Sequence, residues 1–308
     1  MLVVTGASGL LGPSVLLGAR DQGRSAVGLC HRHLLALSDI PTFSVDLTDA
    51  KAAQKVLTSL RPTQIIHCAA AANVDWCEDH AQDAMQINSV SPAWLVHLAM
   101  ELGARFLYVS TDAVFDGKQG NYTETDTPAP LNVYAESKLR GEQEVLRQDP
   151  SALVVRVNIY GWNAQSKLSL AEWVLEQLAS GKPVPGFTDV HFTPILVNDL
   201  SEVLLTMLDR ELKGLYHVAG SERISKFEFA QWVAVTFGFD PGQIVPARMA
   251  EAHLRARRPP DMSLNTSKIS SALGRSMPDV QSGLSRFRTL RDAGYPQQLK
   301  SYLNGTQK

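Results

Sequence analysis

Cysteine is scarce in this chain. Cys30, Cys68 and Cys77 are three thiols in 308 residues, no two of them form a CxxC pair, and one is left over from any pairing. That pattern excludes a disulfide framework and offers no zinc-ligand spacing, so a reducing cytoplasm is the expected compartment and no metal is expected. An excess of charge of either sign is lacking too. With 29 Lys and Arg against 31 Asp and Glu, the formal net charge is -2. Without a basic stripe, nucleic acid is not an expected partner, although a small anionic ligand remains compatible. No apolar run approaches the ~20 residues that a membrane-crossing helix needs. The first five residues run straight into a glycine motif with no basic or cleavable leader, so a soluble, unprocessed protein with no membrane contact is expected. Internal repeats and low-complexity segments are absent as well.

What is present is ordinary globular material: 44% apolar and 19% charged residues, enough for one large domain or a domain with a small second lobe. Short runs rich in Val, Ile and Leu occupy 2–4, 26–30, 42–45, 64–68, 106–109 and 153–157. Continuous apolarity without alternation is the mark of strands covered by helices on both faces of a parallel sheet. Amphipathic stretches at 10–22, 49–60, 91–102 and 133–147 separate them. This alternation predicts an α/β fold, a doubly wound parallel sheet of Rossmann type with a smaller C-terminal substrate lobe. Residues 1–160 are expected to form the dinucleotide-binding part. After Gly161 the rhythm breaks, a helix is expected at 170–179, and the Gly181–Gly186 segment GKPVPG marks a turn-rich connection. Residues 161–308 are then mostly the second lobe, interleaved with a strand at 214–218 that returns to the sheet, and the tail from Ser225 reads as helical with irregular breaks.

The first strand leads into Thr5-Gly6-Ala7-Ser8-Gly9-Leu10-Leu11-Gly12, a GxxGxxG pattern at the entrance to a helix. Glycines let the backbone turn tightly beside a pyrophosphate, whose charge rests on unpaired amides at the helix N-terminus. Three glycines alone are a weak signal. The order of strand, loop and helix gives the motif its weight and makes Gly6, Ser8, Gly9, Leu10, Leu11 and Gly12 cofactor candidates. At the end of the second strand, where a carboxylate would accept hydrogen bonds from an adenosine ribose, the chain reads His31-Arg32-His33. Arg32, with His31, can pair with a 2′-phosphate, which favours NADPH and leaves NADH as the alternative; an ordinary solvated loop is the plainer reading. Asp46 and Leu47 can flank the adenine, though an Asp there can equally cap the next helix.

Two further features fall beyond the carboxyl ends of the strands, where a doubly wound sheet holds its ligand. One is Val109-Ser110-Thr111-Asp112, and the other is Tyr134-Ala135-Glu136-Ser137-Lys138 at a helix start. A spacing of four stacks Tyr134 and Lys138 on one helical face, where a nearby ammonium is expected to lower the phenol pKa by about 1 to 3 units. The implied chemistry is hydride delivery to a ketone carbon, with Tyr134 protonating the oxygen, Thr111 holding it, and Lys138 also binding the nicotinamide ribose.

The segments TGxxGxxG, HCAAAANVDWCE, VSTDAVFDG, PLNVYAESKLRGE and RPPDMSLNTSK together resemble the dTDP-4-dehydrorhamnose reductase family of extended short-chain dehydrogenases/reductases, over nearly the whole chain. The resemblance implies Thr111, Tyr134 and Lys138 as the catalytic set, Gly6, Gly9 and Gly12 at the pyrophosphate, and Ala69, Ala70 and Ala71 along the cofactor. It implies NADPH-dependent reduction of a 4-keto group on a nucleotide-activated deoxysugar. One departure concerns the strand end where that family's sugar lies: here it reads Arg156-Val157-Asn158-Ile159-Tyr160-Gly161-Trp162, with the aromatic spaced differently. The acidic residues of a metal-linked dimer are not identifiable, so a homodimer is an open expectation. An epimerase or dehydratase with retained NAD uses the same Thr-Tyr-Lys set. The chain is also similar to the regulatory β subunit of methionine adenosyltransferase, which implies a partner enzyme instead of a keto sugar.

Several residues carry two readings. Asp75, beside Trp76 and Glu78, is a substrate candidate or a helix cap. Asp112 can touch a sugar hydroxyl or make a local turn bond. Asn158 and Trp162 fall at the expected cleft mouth, as do Phe187, His191 and Phe192, where aromatics either stack on a base or pack the lobe. Arg258, with Arg257, can hold a diphosphate or sit in a solvated loop. His67, inside an apolar strand, reads as a satisfied core histidine.

Overall fold

The computed structural model describes residues 1–252 and 254–304. In chain order the elements are β1 (Leu2–Thr5), α1 (Gly12–Asp21), β2 (Ala26–Cys30), β3 (Thr42–Ser44), α2 (Ala50–Leu60), β4 (Gln64–His67), α3 (Val74–Asp79) and α4 (Ala81–Met85). A π-helical turn, Gln86–Val90, joins α4 to α5 (Ser91–Glu101). Then follow β5 (Arg105–Thr111), α6 (Val133–Gln148), β6 (Leu153–Val157), β7 (Ile159–Tyr160), α7 (Leu170–Ala179), β8 (Val184–Phe187), β9 (His191–Phe192) and β10 (Ile195–Leu196). The chain continues through α8 (Val197–Asp209), β11 (Gly214–His217), β12 (Ile224–Ser225), α9 (Lys226–Phe237), β13 (Ile244–Ala247), α10 (Ser267–Leu273), α11 (Val280–Asp292) and α12 (Tyr295–Asn304).

Seven strands form one parallel sheet in the order β11-β6-β5-β4-β1-β2-β3. The central strands are apolar on both faces because each face is covered: β1, β2 and β6 are buried at every position. The order reverses between β1 and β4, and the strand ends there diverge into a crevice. Beyond the sheet, three two-stranded pairs, β10-β7, β12-β9 and β13-β8, build the second lobe. The 214–218 return strand is thus found as β11, parallel to β6. Most boundaries lie within a residue of the sequence reading, and two differ by two residues. The first helix begins at Gly12, because residues 6–11 are used for the glycine turn, and β5 runs on to Thr111, which carries Ser110 and Thr111 on the strand itself.

Candidate active site

The carboxyl ends of β1, β4, β5 and β6 open into one cleft of about 1060 Å³. Gly6, at φ +63°, makes the first turn after β1, and a Cβ there would lie 2.5 Å from Ala69 N on the next strand's exit. Only glycine allows that approach, which is how the sequence narrows the cleft floor. No side chain caps α1 at Leu11 and its first turn holds no acidic residue, so the helix end presents amide donors and partial positive charge to an anion. Ser8, Gly9, Leu10 and Leu11 line this part of the cleft, with His31 and Arg32 at one end. Gly12 stands behind it, outside the cleft lining: a Cβ there would meet Ala7 O at 2.5 Å, so packing against the turn requires a glycine here.

Asp46 and Leu47 line the cleft near His31. The Asp46 carboxylate accepts from Thr48 N and Oγ1 at 2.9 and 2.7 Å and lies 3.8 Å from His31 Nε2; these bonds hold it below the usual carboxylate range. The helix cap, one of the two readings of Asp46, is made by Asp49, which accepts from Lys51 N and Ala52 N. Ala69, Ala70 and Ala71 form the opposite wall.

Thr111, Asp112, Tyr134, Lys138 and Asn158 converge on the same cleft. Asn132 caps α6 by accepting from Ala135 N at 2.9 Å, which fixes where Tyr134 and Lys138 project. Burial pushes the Tyr134 phenol up to about 12, opposed by a hydrogen bond with Thr111 and reinforced by the Asp112 charge. The expected lowering by Lys138 is not what the structure has. Lys138 Nζ instead donates to Val109 O at 2.8 Å and lies 4.0 Å above the Tyr108 ring. Burial brings this lysine down to about 7, against the pull of Glu142. Asp112 is raised to about 6 by burial, opposed by bonds from Asn158 Nδ2 and Thr111 Oγ1.

Trp162, Phe192, Asp75 and Arg258 fall outside this set. The Trp162 ring stacks on Phe287 at 4.0 Å and its Nε1 donates to Phe287 O at 3.0 Å, so both its face and its polar edge are spent on packing the lobe. Phe192 likewise packs edge-to-face on Phe229. Asp75 and Arg258 pair with each other at 3.0 Å beside the cleft, with Asp75 also accepting from Ala256 N, while Arg258 Nη1 is buried without a partner among the described residues. The cap of α3 is Asn73, not Asp75. His67 is only half satisfied. Its Nδ1 shares a 2.7 Å bond with Thr5 Oγ1, its Nε2 has no partner among the described residues, and burial followed by the Lys138 charge pushes it down to about 3.

Other residues hold the site together without having been singled out. Asn88, on the π-helical turn and fully buried, accepts from Ala71 N at 2.9 Å and donates to Ala71 O and Ser137 Oγ at 3.1 and 3.0 Å. It therefore ties a cleft wall to the helix carrying Lys138. Glu142 accepts from Ser110 Oγ at 2.5 Å and from the Arg156 guanidinium, with Nη2 at 2.7 Å, both ionic side chains being 3% exposed. The Tyr134, Lys138, Glu142 spacing of four was a readable signal for it. Lys226, at the start of α9, interacts with the Asp112 charge and is lowered by burial; no local sequence pattern connects two residues so far apart.

The family model described as RmlD substrate binding domain matches residues 1–291. The chain is 34% identical over 285 residues to a probable low-salt glycan biosynthesis reductase, Agl14, of Haloferax volcanii, covering 91% of this chain and 95% of that one. It is 34% identical over 279 residues to methionine adenosyltransferase 2 subunit beta of Danio rerio, with 87% and 83% covered. A solved dTDP-4-dehydrorhamnose reductase from Bacillus anthracis, in complex with NADP, superposes with a TM-score of 0.82 at 27% identity over 94% of this chain and 98% of that one. Sheet order, glycine turn, Thr-Tyr-Lys cleft and full-length similarity agree: the chain belongs to the RmlD substrate binding domain family, among the NAD(P)-dependent reductases of the extended short-chain dehydrogenase/reductase type.

Proposed function

We propose that the protein reduces a 4-keto group on a nucleotide-activated deoxysugar, using NADPH. The observation that carries this reading is that one cleft joins an anion-binding glycine turn to Thr111, Tyr134 and Lys138. The residues present fit a nicotinamide dinucleotide: uncapped α1 amides for the diphosphate, Arg32 and His31 for a 2′-phosphate, and Lys138 for a ribose. When bound, the reduced nicotinamide supplies a hydride. The protein's part is to orient the ketone and provide the proton. Thr111 Oγ1 and the Tyr134 hydroxyl hold the carbonyl oxygen, and Tyr134 protonates it as negative charge develops. Burial keeps that phenol protonated at neutral pH, which suits an acid. Lys138, its Nζ fixed on Val109 O at the cleft, positions the ribose. Asp112, held by Asn158, faces the substrate side and can accept from a sugar hydroxyl, while the unpaired Arg258 Nη1 and Lys226 offer charge for a nucleotide diphosphate.

The test is oxidation of NADPH by the wild type and by Tyr134→Phe with a panel of nucleotide-linked 4-keto-6-deoxysugars. Turnover that falls at least about a hundredfold in the variant is the expected result. A second reading, an NADP-binding regulatory subunit, is favoured by the similarity to the β subunit of methionine adenosyltransferase. NADP-dependent capture of a methionine adenosyltransferase catalytic subunit, together with no turnover on the panel, would select it.

A further inference from the structure

Between β7 and α7 the chain forms a loop, residues 161–169, that returns across the cleft. It is braced from within. Asn163 Nδ2 donates to Lys167 O at 2.7 Å, Gln165 N donates to Asn163 Oδ1 at 3.0 Å, and Ser169 Oγ donates to Gly161 O at 2.7 Å. Glu172 on α7 accepts from Asn163 N and Ser169 N at 3.0 and 2.8 Å. Trp162 anchors it to the lobe at Phe287 O, and on the cleft side Gln165 Nε2 donates to Ser8 O, in the glycine turn, at 2.7 Å. The loop is therefore stiff, and it is fastened to the lip of the anion site from the facing wall.

Two residues past that fastening stands Lys167, which is exposed, lines the same cleft and makes no ion pair with a carboxylate among the described residues. Its charge also acts on the Cys77 thiol of α3, on the wall beyond Ala71. The glycine segment from Thr5 to Gly12 contains no cation. A helix end contributes only about half a positive charge, whereas a dinucleotide diphosphate carries two negative ones. The other strong cations of the cleft are committed elsewhere, Arg32 beyond β2 and Lys138 at Val109 O.

We infer that residues 163–169 are a clasp across the bound cofactor, in which Lys167 binds the dinucleotide diphosphate and Gln165 is the catch that holds the clasp to the glycine turn. This rests on the dinucleotide reading of the cleft given above. Because the catch joins protein to protein, breaking it frees the loop without removing a charged contact to the ligand. Lys167 and Gln165 thus have separable effects, one on affinity and the other on the rate of release.

The experiment measures equilibrium binding of NADPH, NADH and adenosine 2′-monophosphate to wild type, Lys167→Ala and Arg32→Ala, and release of NADPH from Gln165→Ala by stopped flow. Lys167→Ala is expected to raise the Kd of both dinucleotides by the same factor, about tenfold, and to leave adenosine 2′-monophosphate, which lacks the diphosphate, unchanged. Arg32→Ala is expected to weaken NADPH and the monophosphate while sparing NADH. Gln165→Ala is expected to release NADPH several-fold faster. An unaltered Kd in Lys167→Ala, equal weakening of the monophosphate, or weakened binding of dTDP, UDP or GDP to the NADP⁺ complex with NADPH unaffected would each overturn the assignment of Lys167. Unchanged release from Gln165→Ala overturns the catch. A wild type that binds neither dinucleotide removes the cofactor reading and the clasp with it, whereas wild-type binding that Lys167→Ala does not change removes the clasp alone. The ligand-free melting temperature of Lys167→Ala, an exposed position, controls for folding.

Discussion

The same cause, burial, moves Lys138 down to about 7 and Tyr134 up to about 12. A reduction that takes its proton from Tyr134 and needs Lys138 charged therefore loses its alkaline limb at the lysine, because the phenol is still protonated several units higher. The kcat/KM for the keto sugar is expected to fall as pH rises through about 7, with Lys138 deprotonating in the free enzyme. A pH profile with its limb near 10 would show that the Lys138 ammonium is better stabilised than its surroundings imply. Asp112 gives the opposite sign. Raised to about 6, it is protonated in the native state between about 4 and 6 while the unfolded chain has lost that proton, so stability falls as pH rises through this window and the deficit is complete above 6. Asp112→Asn should accordingly stabilise the protein by about 1 to 3 kcal/mol at pH 7.5, with no gain below pH ~4, while weakening turnover. Urea denaturation at the two pH values checks it. That Thr111, Tyr134 and Lys138 meet in one cleft was legible in the YxxxK spacing and in the chain order of strand end and helix. Trp162 carried both readings, because an aromatic at a strand end looks alike whether it faces a ligand or, as here, the Phe287 ring.

At the level of elements, α6 does two jobs on one stripe. Tyr134 and Lys138 face the cleft, and one turn later Glu142 reaches behind it to Ser110 and Arg156. Gly141 lets the helix settle onto Asn88 O of the π-helical turn, where any Cβ would collide. Glu142→Ala leaves the Arg156 guanidinium buried without its carboxylate, its remaining side-chain hydrogen-bond partner among the described residues being His217 Nε2 at 3.4 Å. Such an uncompensated charge costs about 3 to 5 kcal/mol, so the variant should unfold at markedly lower urea concentration. A loss under about 1 kcal/mol would mean that water reaches Arg156 once the carboxylate is gone. The strands of the main sheet were readable because doubly covered strands must be apolar throughout. The two-residue strands β7, β9, β10 and β12 were not, since two residues carry no periodicity and their pairing is set by the lobe around them.

Across the whole molecule, the division into a cofactor part and a substrate lobe does not correspond to two separate cores. One apolar cluster on a face of the sheet runs from Val4 and Leu16 through Leu200 and Leu204 of α8 to Phe229, Ile269 and Phe287, so β1 and α1 share their packing with the C-terminal helices. The second cluster, with Ile65, Leu95, Phe106 and Val154, covers the opposite face. Ser201 Oγ donates to Ser14 O at 2.9 Å inside that shared seam, joining α8 directly to α1. Elements that share one core lose it together, so heat is expected to unfold the chain in a single calorimetric transition. NADP⁺, which on the proposed reading is held in the cleft by the glycine turn, His31 and Arg32, Lys138 and the 163–169 loop, should then raise the whole transition and not a part of it. At a hundred times its Kd the stabilisation is about 2.7 kcal/mol, which for a chain of this size is a shift of several degrees. Two transitions of which NADP⁺ moves one would mean that the α1 and α8 seam opens before the rest, and that the lobe is a separate folding unit despite the continuous core.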